Sequence, residues 1–63
     1  MQLQLSDPRY TERLASFLQS LGQAPTVSAP GLIELEGADE AEVEIYLRVW
    51  RVLNPEVEVR VAR

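Results

Sequence analysis

The chain opens Met1-Gln-Leu-Gln-Leu5, alternating apolar and polar positions with period two. This predicts a strand with Met1, Leu3 and Leu5 on one face and Gln2 and Gln4 on the other. The period then changes. Tyr10, Leu14, Phe17, Leu18 and Leu21 recur at the three- and four-residue spacing of a single helix face,. A start signal precedes them at Ser6-Asp7-Pro8, where Asp7 can accept from the first free amides and Pro8 suits the first helical position. Gly22 can end the helix in the left-handed region. A second helix is predicted from Asp39, with Asp39 and Glu42 at the N-cap and N3 positions of a capping box and Glu40 adding charge to the first turn. It runs to Leu53 or Asn54, because Pro55 disfavours helical geometry at the residue before it. Glu56-Val-Glu-Val-Arg-Val61 returns to strict alternation and predicts the last strand, with valines 57, 59 and 61 on one face,.

Between the helices, Thr26 to Glu36 reads as a hairpin whose turn is out of step with its hydrophobic residues. Pro30-Gly31 suits the centre of a type II turn, since Pro fixes φ near −65° and Gly accepts φ > 0. A plain two-residue loop pairs Ala29 with Leu32 and Ser28 with Ile33, which places residues of opposite parity on one face. Val27, Ile33 and Leu35 are all odd-numbered. They share a face only if the connection is three residues, Ala29 to Gly31, or if a bulge supplies the extra one. Val27, Ile33 and Leu35 are therefore expected to point to the helices, and Ser28 and Glu34 away from them. A phosphate-cradling role for this turn has no support, because a lone Gly with no following basic or hydroxyl residue lacks the donors of a nest.

The order is strand, helix, two strands, helix, strand. Such a βαββαβ string resembles the ferredoxin-like fold over residues 1–63 as one domain, and is similar in layout to short bacterial proteins. The resemblance implies an α+β fold with a four-stranded antiparallel sheet of order 4-1-3-2 and both helices on one face. It carries no function.

The composition removes most chemistries. A 63-residue chain supports one small core, and such domains rarely retain more than roughly 3–5 kcal/mol of net stability without a disulfide, a metal or a partner. There is no Cys and no His, so disulfides, zinc and iron–sulfur sites, thiol nucleophiles and imidazole catalysis are absent together. No cofactor is expected. Ten acidic residues against six arginines give a formal charge of −4, which repels phosphate backbones. Arg9, Arg13, Arg48, Arg51, Arg60 and Arg63 are spread over both halves, so no nucleic-acid partner is expected. MQLQLSDPR has no continuous apolar run of the secretory or membrane-spanning kind, and the expectation is a cytoplasmic protein with no membrane partner.

Families on this fold mark the junction of the first strand and first helix, here Leu5-Ser-Asp-Pro-Arg-Tyr10. Heavy-metal carriers place Cys-x-x-Cys there, and this chain has none. Acylphosphatases use a glycine-bearing loop with an Arg; Arg9 is present but the glycines are not. ACT-type regulatory domains also tend to have Gly at this turn. RNA-recognition modules need aromatic residues on the central strands, whereas the open face expected here carries Gln2, Gln4, Glu34 and Glu36. Glu34, Glu36, Glu56 and Glu58 are all expected on that face. Two carboxylates can act as an acid–base pair or hold a hard cation, but the first strand separates the glutamates of strand three from those of strand four. Tyr10 and Tyr46 lie in apolar helix stripes and are expected to pack. The chain is not expected to be an enzyme.

The second helix carries more apolar surface than one sheet needs. Its polar side holds Glu40, Glu44, Arg48 and Arg51, while apolar residues fill roughly 240° of the rest, interrupted only by Glu42. With Leu53 and Tyr46 taken as the centre of the sheet-facing stripe, Val43, Leu47 and Trp50 form a flank turned outward. The fourth strand is an edge without Pro, unlike the second, which is blunted by Pro25 and Pro30. An antiparallel pairing of two copies centred on Val59 sets Glu58 opposite Arg60 twice and aligns Val57 with Val61. The expected function is therefore a small interaction module, a homodimer or the subunit of another protein, with its interface at Val43, Leu47, Trp50, Val57, Glu58, Val59, Arg60 and Val61. The alternative is an ACT-like domain binding a small metabolite at a subunit boundary.

Overall fold

A computed structural model describes residues 1–62; the sixth arginine, Arg63, lies outside the described residues. The elements are β1 (Gln2–Leu5), a short 3-10 turn (Pro8–Tyr10), α1 (Thr11–Ser20), β2 (Pro25–Ala29), β3 (Leu32–Leu35), α2 (Glu40–Leu53) and β4 (Val59–Ala62). The four strands form one antiparallel sheet in the order β2-β3-β1-β4, which is the expected 4-1-3-2 read from the other edge. Leu3, Ile33, Leu35 and Val59 project from one side of the sheet into a single core with Leu14 and Leu18 of α1 and Val43, Leu47 and Trp50 of α2. Gln2 and Gln4 lie on the opposite face. Trp50 meets Phe17 of α1 with ring centroids 5.6 Å apart in a tilted arrangement.

The helices run antiparallel. Tyr10, at the start of α1, donates its hydroxyl to Glu56 just beyond α2, while Gln23, just beyond α1, donates to Glu42 near the start of α2. Asp7 caps the 3-10 turn by accepting from the Arg9 amide at 3.0 Å, and the same carboxylate takes the Arg9 guanidinium at 2.8 Å. The helix proper begins later than its cap suggests because Pro8–Tyr10 first makes this tighter turn. At the far end the Gly22 amide donates to the Gln19 carbonyl and the Gln23 amide to the Leu18 carbonyl. This is a Schellman closure, with Gly22 at φ +86°,. Asp39 caps α2 by accepting from the amides of Ala41 and Glu42. The capping box is half made, because the Glu42 carboxylate is engaged by Tyr46 and Gln23.

The hairpin takes the bulged form. Ala29 pairs with Leu32 across Pro30-Gly31, and a register shift between Val27 and Ala29 then sets Val27 opposite Ile33, so Ser28 is the extra residue. Ile33 and Leu35 are buried, while Val27 shares their face but is half-exposed at the sheet edge. Gly31 packs against the end of β1, where a Cβ would make ordinary contact with the Leu5 carbonyl oxygen at 3.4 Å, and its φ of +79° is what favours glycine there,. The Leu5 amide donates to the Gly31 carbonyl. The Gly31 amide donates to the hydroxyl of buried Thr11 at 2.7 Å, and that hydroxyl donates onward to Pro8 at 2.6 Å.

Two expectations are corrected at the C-terminal end. The last strand starts at Val59 and not at Glu56, because the Val57 amide donates to Asn54 and closes a turn over Pro55 and Glu56. For the same reason Glu56 leaves the open face and meets Tyr10 beside the helices.

Candidate functional site

The residues expected to form an interface separate into a buried group and an edge. Val43, Leu47 and Trp50 are 0%, 0% and 4% exposed and form the sheet-facing stripe of α2. They are core, and the expectation that they form an outward flank is corrected. Leu53, taken as part of the sheet-facing centre, is instead exposed, and Tyr46 is half-buried. Glu42 and Arg51 bound an arc that holds Val43, Tyr46, Leu47 and Trp50, which enters the core without burying a charge,; Leu53, at the margin of that arc in the last turn, stays outside. On the α1 side Glu42 accepts from Gln23 at 3.4 Å, and on the β4 side Arg51 donates to the Val59 carbonyl at 2.9 Å. With Phe17 against Trp50, these contacts hold the rotation of the helix.

The second arc is left outside. Ile45, Val49, Val52 and Leu53 are 59%, 49%, 80% and 65% exposed, and Ala41 continues their line toward the start of the helix. The spacing 41, 45, 49, 52, 53 puts them on one face, centred roughly 140° from the buried stripe. Sequence reasoning missed this face by treating the two arcs as one. That there are two arcs was legible, since Arg48 and Glu42 bound Ile45, Val49 and Val52 on the helical wheel,; which arc enters the core was not.

At the sheet edge, Val57 and Val59 are buried, Val61 is half-buried, and Glu58 and Arg60 are exposed on the other face. Odd residues of β1 direct their backbone groups to β3, as the bonds Leu35 to Met1 and Leu5 to Gly31 establish. Even residues therefore serve β4: Gln2 pairs with Ala62 and Gln4 with Arg60, and the Ser6 amide donates to Glu58 while the Ser6 hydroxyl accepts from the Glu58 amide. The backbone groups of Val59 and Val61 point off the edge. Arg51 occupies the Val59 carbonyl, at the centre of the strand pairing expected from sequence. Beside it lies a concavity of about 430 Å³ lined by Arg51, Pro55, Val57, Glu58, Val59 and Arg60.

The titratable groups are arranged for structure. Glu34 accepts from Gln2 at 2.6 Å, and β1 separates it from Glu58, as expected. Tyr10 and Tyr46 are held above the ordinary phenol range, chiefly by their hydrogen bonds to Glu56 and Glu42. A phenol whose proton is held by a carboxylate is a poorer acid at neutral pH. Among the described residues no group of three or more carboxylates is placed to hold a metal ion, and no helix is long and apolar enough to cross a membrane. Comparison with protein-family models, curated proteins and solved structures gives no match.

Proposed function

We propose that this chain is a small non-catalytic protein-interaction module that docks through the outer face of α2. Its element order and sheet order support a ferredoxin-like assignment, a fold that hosts many functions and selects none. The observation that carries the proposal is the contiguous row Ile45, Val49, Val52 and Leu53, exposed on a helix whose other stripe already covers the sheet. Single exposed aliphatic residues are ordinary, but four aligned on one face concentrate apolar surface where a monomer gains nothing from it. A non-catalytic role agrees with the side-chain repertoire: no His, Cys or Lys, two tyrosines held by carboxylates, and glutamates kept apart by β1.

The chain has no cysteine, which permits a direct test. Val52→Cys and Gln19→Cys each introduce one exposed thiol, the first on the outer face of α2 and the second on α1. In dilute purified protein both thiols are expected to alkylate at similar rates, since both positions are exposed. In cells expressing the protein, the thiol at 52 is expected to alkylate several-fold more slowly than the thiol at 19. Equal rates in cells would overturn the proposal.

A further inference from the structure

The two edges of the sheet are closed by different means. β2 begins at Pro25, carries the extra residue Ser28 and is followed by Pro30, so that edge lacks donors and a regular ladder along it is broken. β4 has no Pro and pairs regularly with β1 from Val59 to Ala62. The backbone groups of Val59 and Val61 face outward. Among the described residues, the side chain bonded to them is that of Arg51, which donates to the Val59 carbonyl at 2.9 Å. The turn closed by Asn54 returns the chain beside the end of α2, within reach of Arg51. We propose that β4 is a latent strand-pairing edge for a second copy of this chain, held closed by Arg51. This goes beyond docking through the outer face of α2 and does not rest on it.

Charge on the open face names both the occupant and its register. Glu58 and Arg60 are exposed there, and neither forms an ion pair with other described residues. Two antiparallel copies of β4 meet about a twofold axis, so residue i of one faces j of the other and j faces i. An axis at Glu58 sets acid on acid, and an axis at Arg60 sets Arg on Arg. An axis at Val61 faces Arg60 with Ala62. An axis at Val59 sets Glu58 opposite Arg60 twice, as directly facing pairs on one side of the sheet. In that register the two Val59 residues form a hydrogen-bonded pair, each amide donating to the other's carbonyl. That carbonyl is the one Arg51 holds.

The guanidinium and the incoming amide therefore compete for the same oxygen, and a charged donor makes the stronger bond. Pairing breaks two such contacts, one in each copy, so the closed edge prevails. Arg51 also forms part of the wall of the concavity of about 430 Å³ at this edge. Without Arg51 the edge is open, and the Pro residues and bulge of β2 end the assembly at two copies in one eight-stranded sheet. One short strand per copy covers less than the roughly 800 Å² per partner of a standard interface, so the opened dimer is a weak one that forms at tens to hundreds of micromolar.

Arg51→Ala and Arg51→Met remove the donor without and with the length of the side chain, and both are expected to keep the far-ultraviolet circular dichroism of the native chain. By light scattering from about 1 to about 500 µM, the mass of each variant is expected to rise toward twice that of the monomer and no further. The Val59 amide is expected to exchange its hydrogen several-fold more slowly at the high concentration than at the low one, and equally at both in the native chain. Adding Glu58→Arg to either variant sets Arg against Arg60 and is expected to restore the monomer. Adding Arg60→Glu as well reverses both members of the pair and is expected to bring the dimer back. Folded Arg51 variants that stay monomeric, a mass beyond two copies, a dimer indifferent to Glu58→Arg, or a charge swap that fails to restore it would each overturn the proposal. So would a native chain that already dimerises and is made monomeric by Glu58→Arg, since its edge would be open with Arg51 in place. None of these outcomes bears on the thiol at 52, whose protection in cells tests the α2 face by itself.

Discussion

Along α1 the side turned to solvent carries Glu12, Arg13, Ser16, Gln19 and Ser20, whereas along α2 it carries Ile45, Val49, Val52 and Leu53 beside its charges. Both helices cover the same sheet. α1 does so with Leu14 and Leu18, and α2 with Val43, Leu47 and Trp50. Each therefore has one apolar stripe that folding accounts for. The outer stripe of α2 is additional, and its presence on one helix alone separates what the fold requires from what it leaves exposed.

The largest effects test whether the two stripes of α2 differ energetically. Leu47→Ala, in the inner stripe, is expected to cost about 2–5 kcal/mol in urea unfolding of dilute protein, enough to unfold much of a domain this small. Val52→Ala, in the outer stripe, is expected to change stability by no more than about 0.5 kcal/mol under the same conditions. A comparable loss at both positions would break the distinction and make the outer face part of the monomer core.

The start of α1 gives the next effect. Thr11 is buried, and its hydroxyl serves both the Gly31 amide and the Pro8 carbonyl. Thr11→Val keeps the shape and strands both groups, which is expected to cost about 1–3 kcal/mol, while Thr11→Ser keeps the bonds and loses less. Equal losses for the two variants would mean that packing of the Thr11 methyl, and not the hydroxyl, fixes α1 to the hairpin turn. On α2, Asp39→Ala removes the cap on Ala41 and Glu42 and is expected to lower stability by about 1 kcal/mol in the same assay.

Local rules reached different depths in the two halves of this comparison. The need for one extra residue in the hairpin was legible, because parity alone forbids Val27, Ile33 and Leu35 from sharing a face across a two-residue turn; its place at Ser28 was not. So were Asp39 and Gly22, whose roles depend on a few neighbouring residues. The rotation of α2 was not legible, since two apolar arcs of similar width leave the choice to contacts made elsewhere: Phe17 on Trp50, and Arg51 on the Val59 carbonyl. Thr11 was hidden for a related reason. A threonine at a helix start reads as an ordinary polar residue until the hairpin turn, twenty residues on, delivers an amide to it. Strand four was placed too early because alternation in Glu56-Val57-Glu58 does not reveal the turn that Asn54 closes.

The smallest effect sharpens the polar contact between the helix ends. The Tyr10 hydroxyl holds the Glu56 carboxyl below its ordinary range, and that carboxylate in turn holds the Tyr10 phenol above its own. Glu56 has a depressed folded-state value. Its contribution to stability is present above the unfolded value, about 4.3, and is lost as pH falls through the lower folded one. Tyr10 has a raised value, so its contribution is present below about 10 and is lost as pH rises through the folded value. Both groups reach solvent, which keeps the effect small. Tyr10→Phe removes the shared proton and leaves the ring under the Arg13 guanidinium, 5.1 Å from the ring centroid in the native chain. The thermal midpoints of native and Tyr10→Phe proteins are therefore expected to differ most near neutral pH and to converge at both extremes, with the Glu56 carboxyl titrating higher in the variant by NMR. An unchanged Glu56 titration in Tyr10→Phe would show that the backbone around Pro55, and not Tyr10, sets the acidity of this carboxyl.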